Sequence, residues 1–187
     1  KSNFQSLMDH VGSGSAYDLS KRRSNLSILP PYDGKAFSSF VETIYNMHGY
    51  IEHCREEYVL ISQGNVITNI DYTDVFDFHS KKKADITLIY KNHAIPQGYD
   101  RPITLDVDND GKVNQIFVKP GVVDKGVFNH AYGSILIKKD LLMSEIRNAI
   151  SVNQLDVRRL IQSSLGKYSI YAYENKGYCA AISSIND

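Results

Sequence analysis

A short polar corner follows an apolar run near residue 60, and it is a place where chemistry would be expected. The run "YVLIS" leads into Gln63, Gly64 and Asn65, and no carboxylate follows until Asp71. In α/β enzymes that use nucleotides, such a corner usually carries an acid that holds a metal, because Mg²⁺ prefers charged oxygen ligands. The corner therefore has the strand-and-turn pattern of a metal site but lacks the carboxylate that would bind the metal.

Three aspartates form a second candidate for metal binding. Asp106, Asp108 and Asp110 precede Gly111 with the spacing of a calcium loop, but the twelfth position, which should be a bidentate Glu, is Phe117. The flanking residues are typical of strands rather than helices, and an Asp-Gly pair favours a tight turn. We predict a β-hairpin here and no calcium site.

The other candidates are less specific. Gly12 and Gly14 lack the third glycine of a dinucleotide-binding loop, and the histidines are scattered without zinc-ligand spacing. His79 precedes a basic run and is predicted to interact with the C-terminal end of a helix dipole. Lys119, at a strand end before a proline, could contact an anion, although most such lysines are only solvated.

Length and charge limit the classes of protein to consider. The chain has 187 residues, 21 basic and 21 acidic, which fits one domain and gives no global preference for nucleic acid or an anionic membrane. Two lone cysteines, Cys54 and Cys179, favour a reducing, cytoplasmic location. No apolar run approaches the ~20 residues of a membrane span. Because the chain opens at Lys1, we expect a piece of a longer protein.

The first half of the chain alternates helices with apolar strands. A short helix, "NFQSLMDHV", and a short strand at Leu26–Leu29 come first. An amphipathic helix, "FSSFVETIYNMHGYIEHC", then precedes the strand "YVLIS", which is apolar enough to be buried on both faces of a parallel sheet. Thr73 and Asp74 are predicted to cap the helix "DVFDFHSKKK", and the strand "ADITLIY" follows. This alternation predicts a parallel α/β core.

The second half favours antiparallel pieces. The aspartate hairpin, the strand "GSILIKK" and the helices "DLLMSEIRNAIS" and "LDVRRLIQSSL" precede two strands, "YSIYAYE" and "YCAAIS", which are predicted to form a terminal hairpin. We therefore expect a mixed, mainly parallel sheet with helices on both faces.

Several segments resemble one family in the same order along the chain. "SLMDHVGSG", "LSILPPY", "NIDYTDVFDFHSKKKADIT", "VDNDGKVNQIFVKP" and "YAYENKGYCAAISSI" resemble the bacterial glucose-1-phosphate adenylyltransferases. The resemblance implies a three-layer nucleotide-diphospho-sugar transferase fold, which is Rossmann-like. It implies that residues 1–187 are the central and C-terminal part of a nucleotidyltransferase domain. A glycine-rich loop would precede Lys1 and a β-helix domain would follow Asp187.

The resemblance also implies a chemistry and identifies departures from it. Members of this family make ADP-glucose from ATP and glucose 1-phosphate, with Mg²⁺ held by two aspartates. Those two positions correspond to Asn65 and Ala181 here, so we expect no metal site and no catalytic residue. The resemblance implies substrate-binding positions at Lys119, Tyr132, Gly133 and Asp156.

Loss of both carboxylates resembles the non-catalytic regulatory subunits of the family, the GlgD glycogen biosynthesis proteins. This implies an inactive, cytoplasmic subunit without cofactor that pairs with a catalytic subunit in a hetero-oligomer and modulates it. Two alternatives stay open. The chain could be an active adenylyltransferase that uses Asp71 and Asp74, or a sugar-phosphate sensor that binds an effector through Lys119. Neither nucleic acid nor a membrane is expected as a partner.

Overall fold

The computed structural model describes residues 4–12, 14–17, 19, 26–29, 39–94, 102–118 and 126–182. The helices are α1 (Phe4–Val11), α2 (Phe40–Asn46), α3 (His48–His53), α4 (Tyr72–Lys82), α5 (Lys139–Ser151) and α6 (Val157–Ser163). The strands are β1 (Tyr58–Ile61), β2 (Val66–Thr68), β3 (Ile86–Ala94), β4 (Ile103–Val107), β5 (Val113–Val118), β6 (Val127–Lys138), β7 (Ile170–Glu174) and β8 (Cys179–Ala181).

The strands form one six-stranded sheet and one two-stranded ladder. The order in the large sheet is β5-β4-β6-β3-β7, and β1 also pairs with β6. β2 and β8 form the small ladder. In the part of the chain that the structure describes, β3 and β7 are parallel and the other pairs are antiparallel. The predicted mixed sheet is confirmed, with a smaller parallel share than expected.

Helices cover both faces of the sheet, as predicted. On one face, Leu88 of β3 and Ile135 and Ile137 of β6 belong to a core shared with α2, α5 and α6. The residues between them in sequence, Ile89 and Leu136, face the other way and pack with α4. This alternation follows from the two-residue period of a strand, so each central strand contributes to two cores.

Four strand predictions differ from the structure. β1 was expected within a parallel sheet, but it is antiparallel to β6, and Leu60 is 38% exposed. β7 and β8 were expected to form a hairpin, but β7 pairs with β3 and β8 pairs with β2. The first error came from taking a continuous apolar run as the mark of a parallel strand, and the second from pairing strands that are neighbours in sequence. Residues 26–29 belong to no strand.

The observed ends of α2, α3 and α4 also differ from the predicted helix boundaries. The long amphipathic helix is interrupted at Met47, whose φ of −90° and ψ of 4° separate α2 from α3. α2 begins at a capping box in which Ser39 and Glu42 bond each other's backbone N–H. α4 is capped by Asp71, which accepts a 2.8 Å hydrogen bond from the Thr73 N–H, rather than by Thr73 or Asp74.

His79 is not a charged partner of the helix end. Its side chain is buried, and its Nδ1 lies 2.8 Å from Thr87 Oγ1. Burial, helped by Lys138, lowers the pKa of His79, so the ring is neutral at pH 7. The predicted dipole interaction is therefore wrong. The aspartate hairpin is confirmed, since Gly111 has a φ of +86° and turns β4 into β5. None of the described helices is long and apolar enough to cross a membrane.

The core around α5 gives the first test. Ile146 is 1% exposed, so replacing it with Ala leaves a cavity. Ile146→Ala should lower the free energy of unfolding by about 2–5 kcal/mol. Val152, at the end of the same helix, is 65% exposed. Val152→Ala should change stability by about 0.5 kcal/mol or less. Urea denaturation followed by circular dichroism measures both, and equal losses would contradict this account of the core.

Candidate functional site

The two predicted metal positions lie next to each other. Val66 of β2 is paired with Ala181 of β8, and the Ile182 N–H donates a 2.8 Å hydrogen bond to the Asn65 carbonyl. The Asn65 side-chain amide donates to the Ile182 carbonyl at 3.2 Å. The fold thus brings both positions together, although more than a hundred residues separate them. Directly paired residues share a face of the ladder. The Ala181 side chain is therefore on the same face as Val66, whereas Asn65 is opposite Ile182.

These residues do not fit a divalent cation. Mg²⁺ and Ca²⁺ take oxygen ligands, commonly carboxylates, but Ala181 offers no side-chain donor atom and Asn65 has no charge. The Asn65 amide is already bound to the strand end. Within the described ranges, no three His, Cys, Asp or Glu side chains are grouped as metal ligands would be.

A small uncharged pocket lies between the β2–β8 ladder and the large sheet. Its walls are aliphatic, aromatic, hydroxyl, amide and thiol groups, from Val66, Thr68, Ile70, Tyr72, Ile89, Tyr90, Tyr132, Ser134, Asn175 and Cys179. Burial is the main reason why the pKa of Cys179 is raised, so this thiol is protonated at pH 7 and is a poor nucleophile.

The corner turn, residues 62–65, crosses β6 beside this pocket. Ser62 Oγ lies 3.2 Å from Ser134 Oγ, and the two hydroxyls share a hydrogen bond. Gly133 has a φ of +79°, which favours glycine. A Cβ built on Gly133 would lie 2.8 Å from Cδ and 3.2 Å from Cγ of Gln63. The Gln63 side chain therefore rests directly on the Gly133 backbone.

Two histidines and a tyrosine stack at the end of the same stretch. We call His93, His130 and Tyr132 the His–Tyr cluster. Tyr132 Oη and His93 Nε2 are hydrogen bonded, and the ring centroids of His130 and Tyr132 are 4.4 Å apart. Burial lowers the pKa of His93 and, together with His93, lowers the pKa of His130 to about 4. Both rings are neutral at pH 7, so the cluster can exchange hydrogen bonds but offers no cation to a phosphate.

A buried asparagine joins the ladder to the large sheet. Asn175 is 4% exposed, and its Nδ2 donates to Thr68 Oγ1 at 2.8 Å and to the Tyr178 carbonyl at 3.3 Å. Its Oδ1 accepts from the Gly177 N–H at 2.9 Å, and its own N–H donates to the Tyr90 carbonyl at 2.8 Å. One residue therefore fixes the turn between β7 and β8 relative to β2 and β3.

The chain is similar in sequence to known adenylyltransferases. The chain is 28% identical over 189 residues to a glucose-1-phosphate adenylyltransferase of Clostridium acetobutylicum, and 27% identical over 193 residues to that of Bacillus subtilis. Each match covers 96% of this chain and 48% of the relative. A Clostridium perfringens relative is 37% identical over 90 residues, 46% of this chain and 23% of the relative. The chain is a homologue of glucose-1-phosphate adenylyltransferases.

The chain spans about half the length of these curated adenylyltransferases. No family model matches it. A solved structure from Bacillus anthracis, described as a glucose-1-phosphate thymidylyltransferase in complex with a sucrose, superposes with a TM-score of 0.68 at 12% identity. It covers 95% of this chain and 65% of that chain. This likeness establishes the fold as that of the nucleotide-diphospho-sugar transferases.

The positions inferred from the adenylyltransferases fall in different places. Tyr132 and Gly133 lie at the corner turn with Asn65 and Ala181. Lys119 lies outside the described residues. Asp156 belongs to the helix layer on the opposite face, because α6 packs in the core that it shares with α2 and α5.

Asp156 has a local structural role in this homologue. It caps α6 by accepting from the Arg158 N–H at 3.0 Å, and it forms an ion pair with the Arg158 guanidinium. Burial acts to raise the pKa of Asp156, but the hydrogen bonds and charge of Arg158, with Arg159, hold it below its usual value. The structure does not bring Asp156 to the corner.

The sequence analysis missed the His–Tyr cluster and Asn175. His93 and His130 are far apart in sequence, and they meet because β3 pairs antiparallel with β6, with Lys91 opposite His130 and His93 opposite Phe128. No spacing rule indicates this. Asn175 does carry a local signal, since Asn two residues before Gly favours an Asx turn.

The His–Tyr cluster predicts a pH dependence of stability. His130 has a pKa near 4 in the folded chain and about 6.5 when unfolded, so the unfolded state binds more protons between those pH values. Stability contributed by neutral His130 is therefore complete above pH 6.5 and is lost as the pH falls toward 4. At ~1.4 kcal/mol per pH unit, the loss is about 3 kcal/mol.

Replacing the imidazole should remove this share of the pH dependence. His130→Gln should show a smaller loss of unfolding free energy between pH 6.5 and 4 than the unaltered protein, measured by urea denaturation at several pH values. His53 is exposed, and His53→Gln serves as the matched control with an unchanged slope. Identical slopes for His130→Gln and the unaltered protein would exclude a buried neutral His130.

Asn175 gives a second stability test. Asn175→Ala leaves Thr68 Oγ1, the Gly177 N–H and the Tyr178 carbonyl without this partner, which should cost about 1–3 kcal/mol of unfolding free energy. Lys176 in the same turn is exposed, so Lys176→Ala should be nearly neutral. Hydrogen exchange should also show faster exchange in β2 and β8 of Asn175→Ala. Unchanged protection there would mean that Asn175 does not hold the ladder.

Proposed function

We propose that this chain is part of a regulatory, catalytically degenerate subunit of glucose-1-phosphate adenylyltransferase, of the GlgD type. Its role would be to modulate a catalytic partner that makes ADP-glucose from ATP and glucose 1-phosphate in glycogen biosynthesis. The observation that carries this proposal is that Asn65 and Ala181 are both uncharged and lie on neighbouring segments joined through Ile182, at the positions where the adenylyltransferase resemblance implies two metal-binding aspartates.

The chemistry of the family explains why this pair matters. Transfer of a nucleotidyl group passes through a state with extra negative charge on phosphate oxygens, and Mg²⁺ held by carboxylates neutralises that charge. Asn65 bonds a backbone carbonyl and Ala181 has no polar side-chain atom. Asn65, Ala181 and the uncharged pocket beside them offer no substitute anion, so the residues that remain support strand pairing rather than catalysis.

The proposed partner is a catalytic subunit, because this chain lacks the two metal-binding carboxylates. A subunit without its own turnover can affect flux by favouring one conformation of a catalytic subunit, and such coupling free energies are typically about 1–3 kcal/mol. We infer a hetero-oligomer with a catalytic adenylyltransferase subunit. A sugar phosphate bound near Tyr132 and Gly133 would then be an effector rather than a substrate.

An active enzyme built on other carboxylates is the alternative. Asp71 and Asp74 follow the corner, and both line an open cleft beside α4. Asp71, however, caps α4, and its hydrogen bonds from Thr73 hold its pKa below the usual value. Asp74 lies in the first turn of α4, where its charge favours the helix dipole. Both therefore have structural explanations, which favours the regulatory proposal.

Turnover of the purified protein alone tests the proposal. Pyrophosphate release should stay at background with ATP, glucose 1-phosphate and Mg²⁺. Adding the protein to a catalytic adenylyltransferase subunit should change that subunit's kcat or KM. Sustained, metal-dependent pyrophosphate release by the protein alone would contradict the proposal.

Restoring the carboxylates gives a complementary measurement. The double variant Asn65→Asp/Ala181→Asp should bind Mn²⁺ or Mg²⁺ in a calorimeter, whereas the unaltered protein should not. Asn114→Asp/Asn148→Asp adds the two carboxylates at exposed positions on β5 and α5, away from the pair, and serves as the control. Failure of the first variant to bind metal would remove the assignment of these positions as a former metal site.

A further inference from the structure

A cavity lies in the core between the large sheet and the helices α2, α5 and α6. Its volume is about 40 Å³. Because about 10–15 Å³ holds one water molecule, the cavity has room for about three non-hydrogen atoms. Its wall is almost entirely aliphatic or aromatic, and it includes the isoleucines Ile61, Ile86, Ile135, Ile137, Ile146 and Ile161. Cavities with such walls stay dry, because water finds few hydrogen-bond partners there.

One side of this cavity lies close to the protein surface. Phe40, at the start of α2, and Val157 and Leu160, on α6, belong to its wall and are only partly buried. Ile146, on α5, is only 1% exposed and closes the cavity on the inner side. Partly exposed side chains change rotamer rapidly, so a small molecule can enter past them while the core stays folded.

One polar atom in the wall of the cavity has no partner. Glu145, on α5, accepts a 2.6 Å hydrogen bond from Tyr168 Oη through its Oε1. Its second oxygen, Oε2, is buried and has no hydrogen-bond partner among the described residues. Ser164, the other polar residue of the wall, already donates its hydroxyl to the Leu160 carbonyl at 2.9 Å. A buried acceptor without a partner is unfavourable, so Oε2 favours a ligand that brings a donor.

We propose that this cavity binds a small neutral molecule with an apolar body and one hydroxyl group, which is the chemistry of a short-chain alcohol. The apolar body lies among the isoleucines, and the hydroxyl donates to Glu145 Oε2. A charged ligand is disfavoured, because the isoleucine wall would remove its hydration without replacing it. A purely apolar ligand would fill the space but leave the acceptor unpaired. This inference goes beyond the proposed function and uses no residue of the corner turn or of the β2–β8 ladder.

Ethanol and dimethyl ether test this assignment, because they are isomers of which only ethanol can donate a hydrogen bond. In the full chain labelled at isoleucine methyl groups, ethanol should shift the NMR signals of the cavity isoleucines saturably, in the millimolar range expected for so small a ligand. Dimethyl ether should bind about tenfold more weakly, since it cannot bond the carboxylate. Ile67, which is exposed, and Ile89, which lies in the other core, should not shift with either compound.

Removing the acceptor gives a second measurement. Glu145→Met keeps the length of the side chain without its carboxylate, and it should bind ethanol about tenfold more weakly than the unaltered protein. Glu56 is exposed, and Glu56→Met is the matched control with unchanged affinity.

Saturable ethanol shifts that are confined to the cavity isoleucines, and weakened in Glu145→Met, support the proposal. It would be overturned by the absence of saturable shifts with ethanol, by equal affinities for the two isomers, or by undiminished ethanol binding in Glu145→Met. If Glu145→Met does not fold, the comparison of ethanol with dimethyl ether on the unaltered protein decides alone.

Discussion

The long strand β6 is the constraint on which the rest of the structure depends. Its 12 residues pair with β3 along one edge, and with β4 and then β1 along the other. One strand can pair with two others along the same edge only if each of them pairs with a different stretch of it. The interval between them falls at Tyr132–Ser134, and there the register against β3 also shifts. The register shift and the change of partner strand therefore coincide beside the corner turn.

The corner is held by hydrogen bonds between uncharged groups. Ser62, Asn65 and Asn175 each join one strand to another through neutral donors and acceptors. An aspartate at position 65 would lose the N–H that now reaches the Ile182 carbonyl, and would place a negative charge beside that oxygen. These hydrogen bonds stabilise the ladder, so a charge added at position 65 would act against the present structure.

The sequence predicts the elements whose hydrophobic pattern is regular over many residues. α4, α5, β3 and the β4–β5 hairpin are where their patterns predict, because each buries one face or turns at a characteristic dipeptide. The resemblance predicts that Asn65 and Ala181 lie near each other, and the segments that carry them are neighbours across the β2–β8 ladder. The partners of β1, β7 and β8 were not predictable, since each pairs with a strand distant in sequence, namely β6, β3 and β2.

Side-chain clusters were the least predictable part of the site. His93 and His130 carry no mark in the sequence that sets them apart from the exposed His48 or His53. Only the register of two strands decides that they share a buried face with Tyr132. The same holds for Gln63, whose side chain rests on Gly133, a residue distant in the sequence.

The tip of the β4–β5 hairpin has a consequence for the behaviour of the protein at high concentration. β7 is the last strand of the large sheet, and its free edge would offer unpaired backbone groups to another molecule. The Ala172 N–H instead donates a 2.8 Å hydrogen bond to the Gly111 carbonyl, and Lys112 forms a bridge with Tyr171. Among the described residues, the hairpin thus occupies the middle of the β7 edge, so the turn that resembles a calcium loop hinders strand addition by another chain at that point.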